Sequence, residues 1–153
     1  MIETARRLDQ GIGHVNYAIA DFITAELPSG AYDYISAIAV LHHIPFEDAL
    51  RKARTLLRPG GTLAVLGLYR SASLTDLALS AISLPLNRLL LGWHGAARYQ
   101  APTIAPALSF REITQTVERV LPGARISRRL LWRYFAVWHK PAGASEHETA
   151  PTD

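Results

Sequence analysis

From Tyr34 to Leu41 the chain reads YISAIAVL, a run of short, apolar and partly β-branched residues with a single serine. Such a run suits a strand buried on both faces, where no polar alternation is expected. His42 and His43 end it. Pro45 then fits the first turn of a helix, where a missing N–H costs nothing. Apolar residues recur at Phe46, Ala49, Leu50, Ala53, Leu56 and Leu57, a helical stripe, while Glu47 with Arg51 and Asp48 with Lys52 pair one turn apart on the wet side. Pro59-Gly60-Gly61 stops the helix, and Thr62 to Leu68 makes a second buried strand. Two buried strands joined through a helix form a right-handed parallel crossover, the unit of a doubly wound α/β sheet.

Upstream, Ile2 to Asp9 has helical character with Ile2, Ala5 and Leu8 on one side, and Gly11-Ile12-Gly13 breaks it. Val15 to Ala20 reads as a short strand, with Asp21 and Phe22 at its C-terminal end, where ligands sit in open α/β sheets. Asp21 equally suits the cap of a turn or of a short helix beginning near Ile23. The two roles are compatible, because a carboxylate has two oxygens. Pro28-Ser29-Gly30 is a turn.

Downstream, Leu74 to Leu91 is strongly apolar and helical in pattern. Asp76, Asn87 and Arg88 interrupt it and Pro85 would kink it, which argues against a membrane span. It reads either as a helix packed on the sheet or as a partly exposed lid over an apolar substrate. Gly92 to Pro106 reads as a loop of the kind that carries selectivity. Ser109 and Glu112 have the spacing of a capping box, which opens a helix running to about Val120, and Leu121-Pro122-Gly123 ends it. Arg125 to Trp132 and Tyr134 to Lys140 read as two strands joined by a tight bend at Arg133-Tyr134, or as one long bent strand. Residues 1–140 therefore form one domain, and residues 141–153 a disordered tail.

Composition narrows the chemistry. A chain of 153 residues, 49% of them hydrophobic, suits one globular domain. It has no cysteine, so disulfides, thiolate metal sites and a cysteine nucleophile are excluded. Met1-Ile2-Glu3-Thr4 does not open a signal segment, so a cytoplasmic location is expected. The formal charge of +3 is spread over Arg6-Arg7, Arg51 to Arg58 and Arg125 to Arg133, not gathered with aromatics on one surface, which argues against nucleic acid as a partner. His14, His94, His139 and His147 include no pair at the spacing of a helical metal site, and no metal is expected.

The ordered set DYISAIAVLHHI, a helix and LLRPGGTL resembles strands 4 and 5 of class I S-adenosylmethionine-dependent methyltransferases, in pattern most like the small-molecule, quinone-methylase branch. Val15 to Asp21 followed by Leu27-Pro28 is similar to that family's third strand with its adenine-contacting acid, and Arg125 to Pro141 resembles its closing hairpin. The resemblance implies a Rossmann-like α/β fold, a mostly parallel sheet with a C-terminal antiparallel hairpin, and S-adenosylmethionine as cofactor. Carried over by position, Asp21 would hold the adenine amino group, Phe22 would border the adenine ring, and Ile38 and Ala39 would line the methionine part. His42 and His43 are the candidate catalytic residues. A histidine titrates near working pH and is suited to accept a proton from a phenolic acceptor. The structural alternative is that one caps the following turn and the other packs on the helix.

The same resemblance places Met1 after the family's first two strands, so the glycine-rich loop and the ribose-binding acid have no counterpart here, and Gly11-Ile12-Gly13 follows a helix, not a strand. An N-terminally truncated domain is the expectation. Two ribose hydroxyls on a carboxylate contribute about 1.5–3 kcal/mol each, so their loss weakens cofactor binding by about two to four decades. In the family order 3-2-1-4-5-7-6, strands 3 and 4 would then stand about 14 Å apart, three steps of about 4.8 Å. Three outcomes are expected of that gap: strand 3 moves against strand 4, another chain (a second copy or the missing N-terminal half) supplies the pairing, or the sequence is a truncated version of a longer enzyme. The function expected is methyl transfer to a small apolar or aromatic acceptor. The competing expectation is a catalytically silent, methyltransferase-like interaction or dimerisation protein.

Overall fold

The computed structural model describes residues 15–70, 105–130 and 132–143. The helix expected over Ile2–Asp9, the apolar segment Leu74–Leu91, nearly all of the loop 92–106 and nearly all of the tail lie outside them.

Strand β1 (Tyr32–Ile38) leads through a 3-10 turn at Leu41–His43 into helix α1 (Phe46–Leu56), strand β2 (Leu57–Leu68), helix α2 (Phe110–Val120) and strands β3 (Arg125–Arg129) and β4 (Arg133–His139). The sheet order is β1-β2-β4-β3. β1 runs parallel to β2, with Ile35 opposite Leu63 and Ala37 opposite Val65. β4 lies antiparallel to both β2 and β3. The expected crossover and closing hairpin are both present, in a mixed four-stranded sheet.

Both helices cover one face of the sheet. On that face Leu63, Val65, Tyr134, Ala136 and Trp138 are buried against Ala49, Leu50 and Ala53 of α1 and Ile113, Val117 and Val120 of α2. This burial of interdigitating aliphatic and aromatic groups is the main stabilising term. Polar ties fix the helix ends: the Arg54 side chain donates to the Val120 carbonyl at 3.1 Å, and Arg119 bridges to Glu47 at 2.5 Å. The capping box is as expected, with Ser109 Oγ accepting from Glu112 N and the Glu112 carboxylate accepting from Ser109 N at 2.7 Å. Glu112 is held below the usual carboxylate range, first by its hydrogen bond from the Ser109 side chain and then by that from the Ser109 backbone.

Several expectations are corrected. β1 is buried on one face only: Ile35 and Ala37 turn toward α1, while Tyr34 and Ile38 are 57% and 65% exposed on the other side. It also ends three residues early, because Ala39 takes a left-handed backbone (φ 51°) and the chain turns at once into the 3-10 segment. Val15–Ala20 forms no strand. Ile19 is 88% exposed, and this stretch does not move against β1. With no second strand beside it, an extended segment has no ladder to join. The chain after Asp21 makes a turn, closed by Ala25 N donating to Asp21 O at 2.8 Å, and not a helix.

Pro59-Gly60-Gly61 does not precede β2 but bulges within it, since Tyr32 pairs with Leu57 and Tyr34 with Thr62. Gly60 needs its positive φ of 80°, and a Cβ on Gly61 would meet the Arg58 carbonyl at 2.9 Å. The hairpin turns between Arg129 and Arg133 instead of at Arg133-Tyr134, because those two residues pair and Trp132 takes a left-handed backbone (φ 55°).

Candidate functional site

The 3-10 turn after β1 divides two cavities. Leu41 and Ile44 border both. The larger, about 520 Å³, lies beside the C-terminal half of β1, between Phe22, Ile35, Ala37, Val40 and the Ala49–Ala53 face of α1. Ala20, Asp21, Ser36 and His43 complete its polar and small edges. The smaller, about 200 Å³, is framed by Phe46, Leu68, Pro106, Ala107, Leu108, Ile113 and Tyr134, with His42 at its wall.

The two histidines stack with ring centroids 3.9 Å apart and an interplanar angle of 40°, so each ring opens toward a different cavity. His42 Nδ1 is buried without a hydrogen-bond partner among the described residues. Its pKa is lowered from 6.5, first by burial of the ring and second by the neighbouring charge of His43. A ring kept neutral in this way is available as a proton acceptor at neutral pH. Across the small cavity, burial pushes the Tyr134 hydroxyl well above its ordinary value, so it stays protonated.

Asp21 shows the capping role. Its Oδ1 accepts from Ile23 N at 2.7 Å and from Thr24 N at 3.4 Å, which fixes the turn and leaves the second oxygen for an outside donor. The turn is in turn anchored to α1: Lys52 Nζ donates to the carbonyls of Ile23 at 2.9 Å and Ala25 at 2.5 Å and sits 5.7 Å from the centre of the Phe22 ring. Lys52 therefore does not serve as the partner of Asp48, as its spacing suggests, whereas Glu47 and Arg51 do pair, at 2.6 Å. This lysine is the positioning residue that sequence reasoning missed. Its four-residue spacing from Asp48 pointed to solvent, and only the return of residues 21–25 against α1 gives it carbonyls to hold.

The structure brings Asp21, Phe22 and His43 to one cavity and places His42 at the other. Ile38 and Ala39 are in neither lining. Ile38 points to the open face of the sheet, and Ala39 spends its N–H on the Leu66 carbonyl at 2.7 Å. Ser36, Ala37 and Val40 stand in the lining in their place. Among the described residues no group of three metal-ligating side chains is present, and no helix is long and apolar enough to cross a membrane.

Measured against S-adenosylmethionine, the large cavity fits the adenine end: an aromatic ring stands beside a carboxylate with a free oxygen. Among the described residues Asp21 is the one carboxylate in the lining and no cation lies in it, so these residues do not fit the ribose and methionine ends equally.

The methyltransferase-domain family matches residues 1–65. An uncharacterized methyltransferase of Mycobacterium tuberculosis (strain H37Rv) is 33% identical over 139 residues, covering 83% of this chain and 65% of its own length. A ubiquinone biosynthesis O-methyltransferase of Chromobacterium violaceum is 35% identical over 82 residues, which is 53% of this chain and 35% of that protein. The chain thus spans less than two thirds of the length of these relatives. Among solved structures, a SAM-dependent methyltransferase from Aquifex aeolicus aligns with a TM-score of 0.53 at 15% identity, over 90% of this chain and 62% of that one. The crossover, the hairpin order and these likenesses agree: residues 1–65 match a methyltransferase domain, and the chain has the Rossmann-like α/β fold of S-adenosylmethionine-dependent methyltransferases.

Proposed function

We propose that this chain takes part in methyl transfer from S-adenosylmethionine to a small apolar or aromatic acceptor, in the cytoplasm. The observation that carries the reading is the convergence of Asp21, Phe22 and His43 on one cavity beside the end of β1. Asp21 would accept from the adenine amino group with its second oxygen, and Phe22 would pack on the ring, its position held by Lys52. The bound cofactor supplies a methyl group on an activated sulfonium, so the protein's task is orientation and exclusion of water.

On the acceptor side, the small cavity is walled by apolar groups and His42, whose buried ring nitrogen Nδ1, without a partner among the described residues, could take a proton from a phenol. His43, stacked on it, links the two cavities. The lining supports an apolar or aromatic acceptor, since among the described residues it sets the His42 ring and the Tyr134 hydroxyl in otherwise apolar walls. Calorimetric titration of S-adenosylmethionine and S-adenosylhomocysteine tests the reading, on this chain and on a form extended upstream with a relative's glycine-rich loop. Weak binding by the chain and tight binding by the extended form are expected; no binding by the extended form rejects it.

A second reading is a methyltransferase-like interaction protein without catalysis; it draws on the large cavity's lining, in which Asp21 is the one carboxylate among the described residues. A folded chain that methylates a phenolic acceptor would exclude it.

A further inference from the structure

Tyr134 stands between the small cavity and the packed core. It lines the cavity, about 200 Å³ in volume, together with His42, Leu68 and Leu108. It also borders, with Phe46, Leu50, Leu63 and Val117, a seam of the core that leaves no room for a water molecule.

The ring is fixed in that position. It reaches from β4 over Gly67 of β2, where a Cβ would overlap its Cε1, Cζ and Oη atoms. Phe46 meets it edge-on, with 6.4 Å between the ring centroids, and only 2% of Tyr134 is exposed. A ring seated on a glycine with tight packing behind it has nowhere to retreat, because an interior at this density yields only with strain. Other walls are held as well: Leu41 and Ile113 are buried, and the Leu108 carbonyl accepts from Arg70 N at 2.8 Å.

An apolar cavity of about 150 Å³ takes up benzene, whereas pockets for drug-sized ligands measure about 300–1,000 Å³. At about 200 Å³ the small cavity suits one ring with a small substituent. We propose that Tyr134 selects the acceptor by size, admitting a monocyclic phenol and refusing a fused bicycle; this rests on the small cavity being the acceptor side in methyl transfer. A second fused ring has to displace a wall. Phe46 and Tyr134 are the walls that the cavity shares with the tight core seam, and Tyr134 is the one whose ring rests on the sheet backbone at Gly67 and cannot turn aside. Both sizes of phenol offer the same hydroxyl to His42 Nδ1, so the wall and not the hydrogen bond makes the distinction.

Calorimetric titration of 4-methylphenol and of 2-naphthol into the full chain tests the selection. Two fused rings bury more apolar surface, so transfer from water alone would favour 2-naphthol. The native chain is expected to bind 4-methylphenol at least about tenfold more tightly. Tyr134→Leu removes the wall and is expected to reverse the order; Tyr134→Met, whose flexible stem fills gaps, makes the same test if leucine disturbs folding. Tyr134→Phe keeps the ring and is expected to keep the native order. Leu108→Trp fills the cavity from another wall and is expected to abolish uptake of 4-methylphenol, which locates the binding. A native chain that prefers 2-naphthol or binds neither phenol overturns the proposal, as does an unchanged order in Tyr134→Leu and Tyr134→Met or undiminished uptake in Leu108→Trp. Titration of S-adenosylhomocysteine into the upstream-extended form separates the two readings. No binding there overturns methyl transfer and this selection with it, whereas cofactor binding combined with a preference for 2-naphthol overturns the selection alone.

Discussion

Gly67 and Tyr134 stand opposite each other in the β2–β4 pairing, and a Cβ on Gly67 would lie 2.3 Å from the Tyr134 ring. The ring occupies the space that any other residue at position 67 would need. It is thereby laid over the core, edge-on to Phe46 at 6.4 Å, and forms a wall of the small cavity. Gly67→Ala should cost about 1–3 kcal/mol through overpacking of a rigid ring. Adding Tyr134→Leu should recover part of that loss, because the obstruction leaves with the ring. Urea unfolding of the four-member cycle gives the coupling, and strict additivity would show that the two positions do not compete for space.

The fold was legible where side-chain pattern and turn chemistry act locally. Phe46, Leu50 and Ala53 recur with helical period, Ser109 and Glu112 close a box within one turn, and each feature needs only its own neighbours. The strand ends were less legible. Ala39 and Trp132 take left-handed backbones that neither residue type advertises, so β1 stopped early and the hairpin turned earlier than expected. The site was legible in part. Asp21 and Phe22 do sit at a cavity, but Lys52 depends on a contact 27 residues away in sequence, which periodicity cannot carry. Ile38 looked buried because a run of apolar residues does not tell which face lacks a cover.

Lys140 is buried at 7% exposure, and its Nζ donates to the carbonyls of Arg54 and Leu57 at 3.0 Å each. Those carbonyls lie at the C-terminal end of α1, where a cation complements both unpaired acceptors and the helix dipole. Lys140→Met keeps the stem and removes the donors, leaving buried acceptors unsatisfied. A loss of about 2–3 kcal/mol in urea is expected. A change under about 0.5 kcal/mol would mean that other donors replace the ammonium.

His42 titrates below 6.5 in the folded chain because its ring is buried and its neighbour is a second histidine. Between that lowered value and 6.5 the unfolded chain takes up a proton that the folded chain refuses. The contribution of His42 to stability is therefore complete above 6.5 and is lost as pH falls through the folded value. Relative to native, His42→Asn should show a shallower decline of the urea midpoint between pH 7 and acid, and equal slopes would remove the assignment. An imidazole proton resonance titrating below 6.5 and absent in the variant is the direct check.

Asp21 combines a turn cap with an unused oxygen, and the two functions separate on substitution. Asp21→Asn retains an Oδ1 that accepts from Ile23 N and Thr24 N, so Lys52 should keep its hold on the Ile23 and Ala25 carbonyls and the chain should stay folded. The charge that would meet the adenine amino group is gone. A charge-assisted hydrogen bond contributes about 1.5–3 kcal/mol, so the Kd for S-adenosylhomocysteine should rise by about one to two decades in the upstream-extended form. Asp21→Ala should do the same and also loosen the turn, seen as faster amide exchange at Ile23 and Thr24. Unchanged affinity in Asp21→Asn together with weakened affinity in Asp21→Ala would leave Asp21 as a cap alone and move the adenine contact elsewhere.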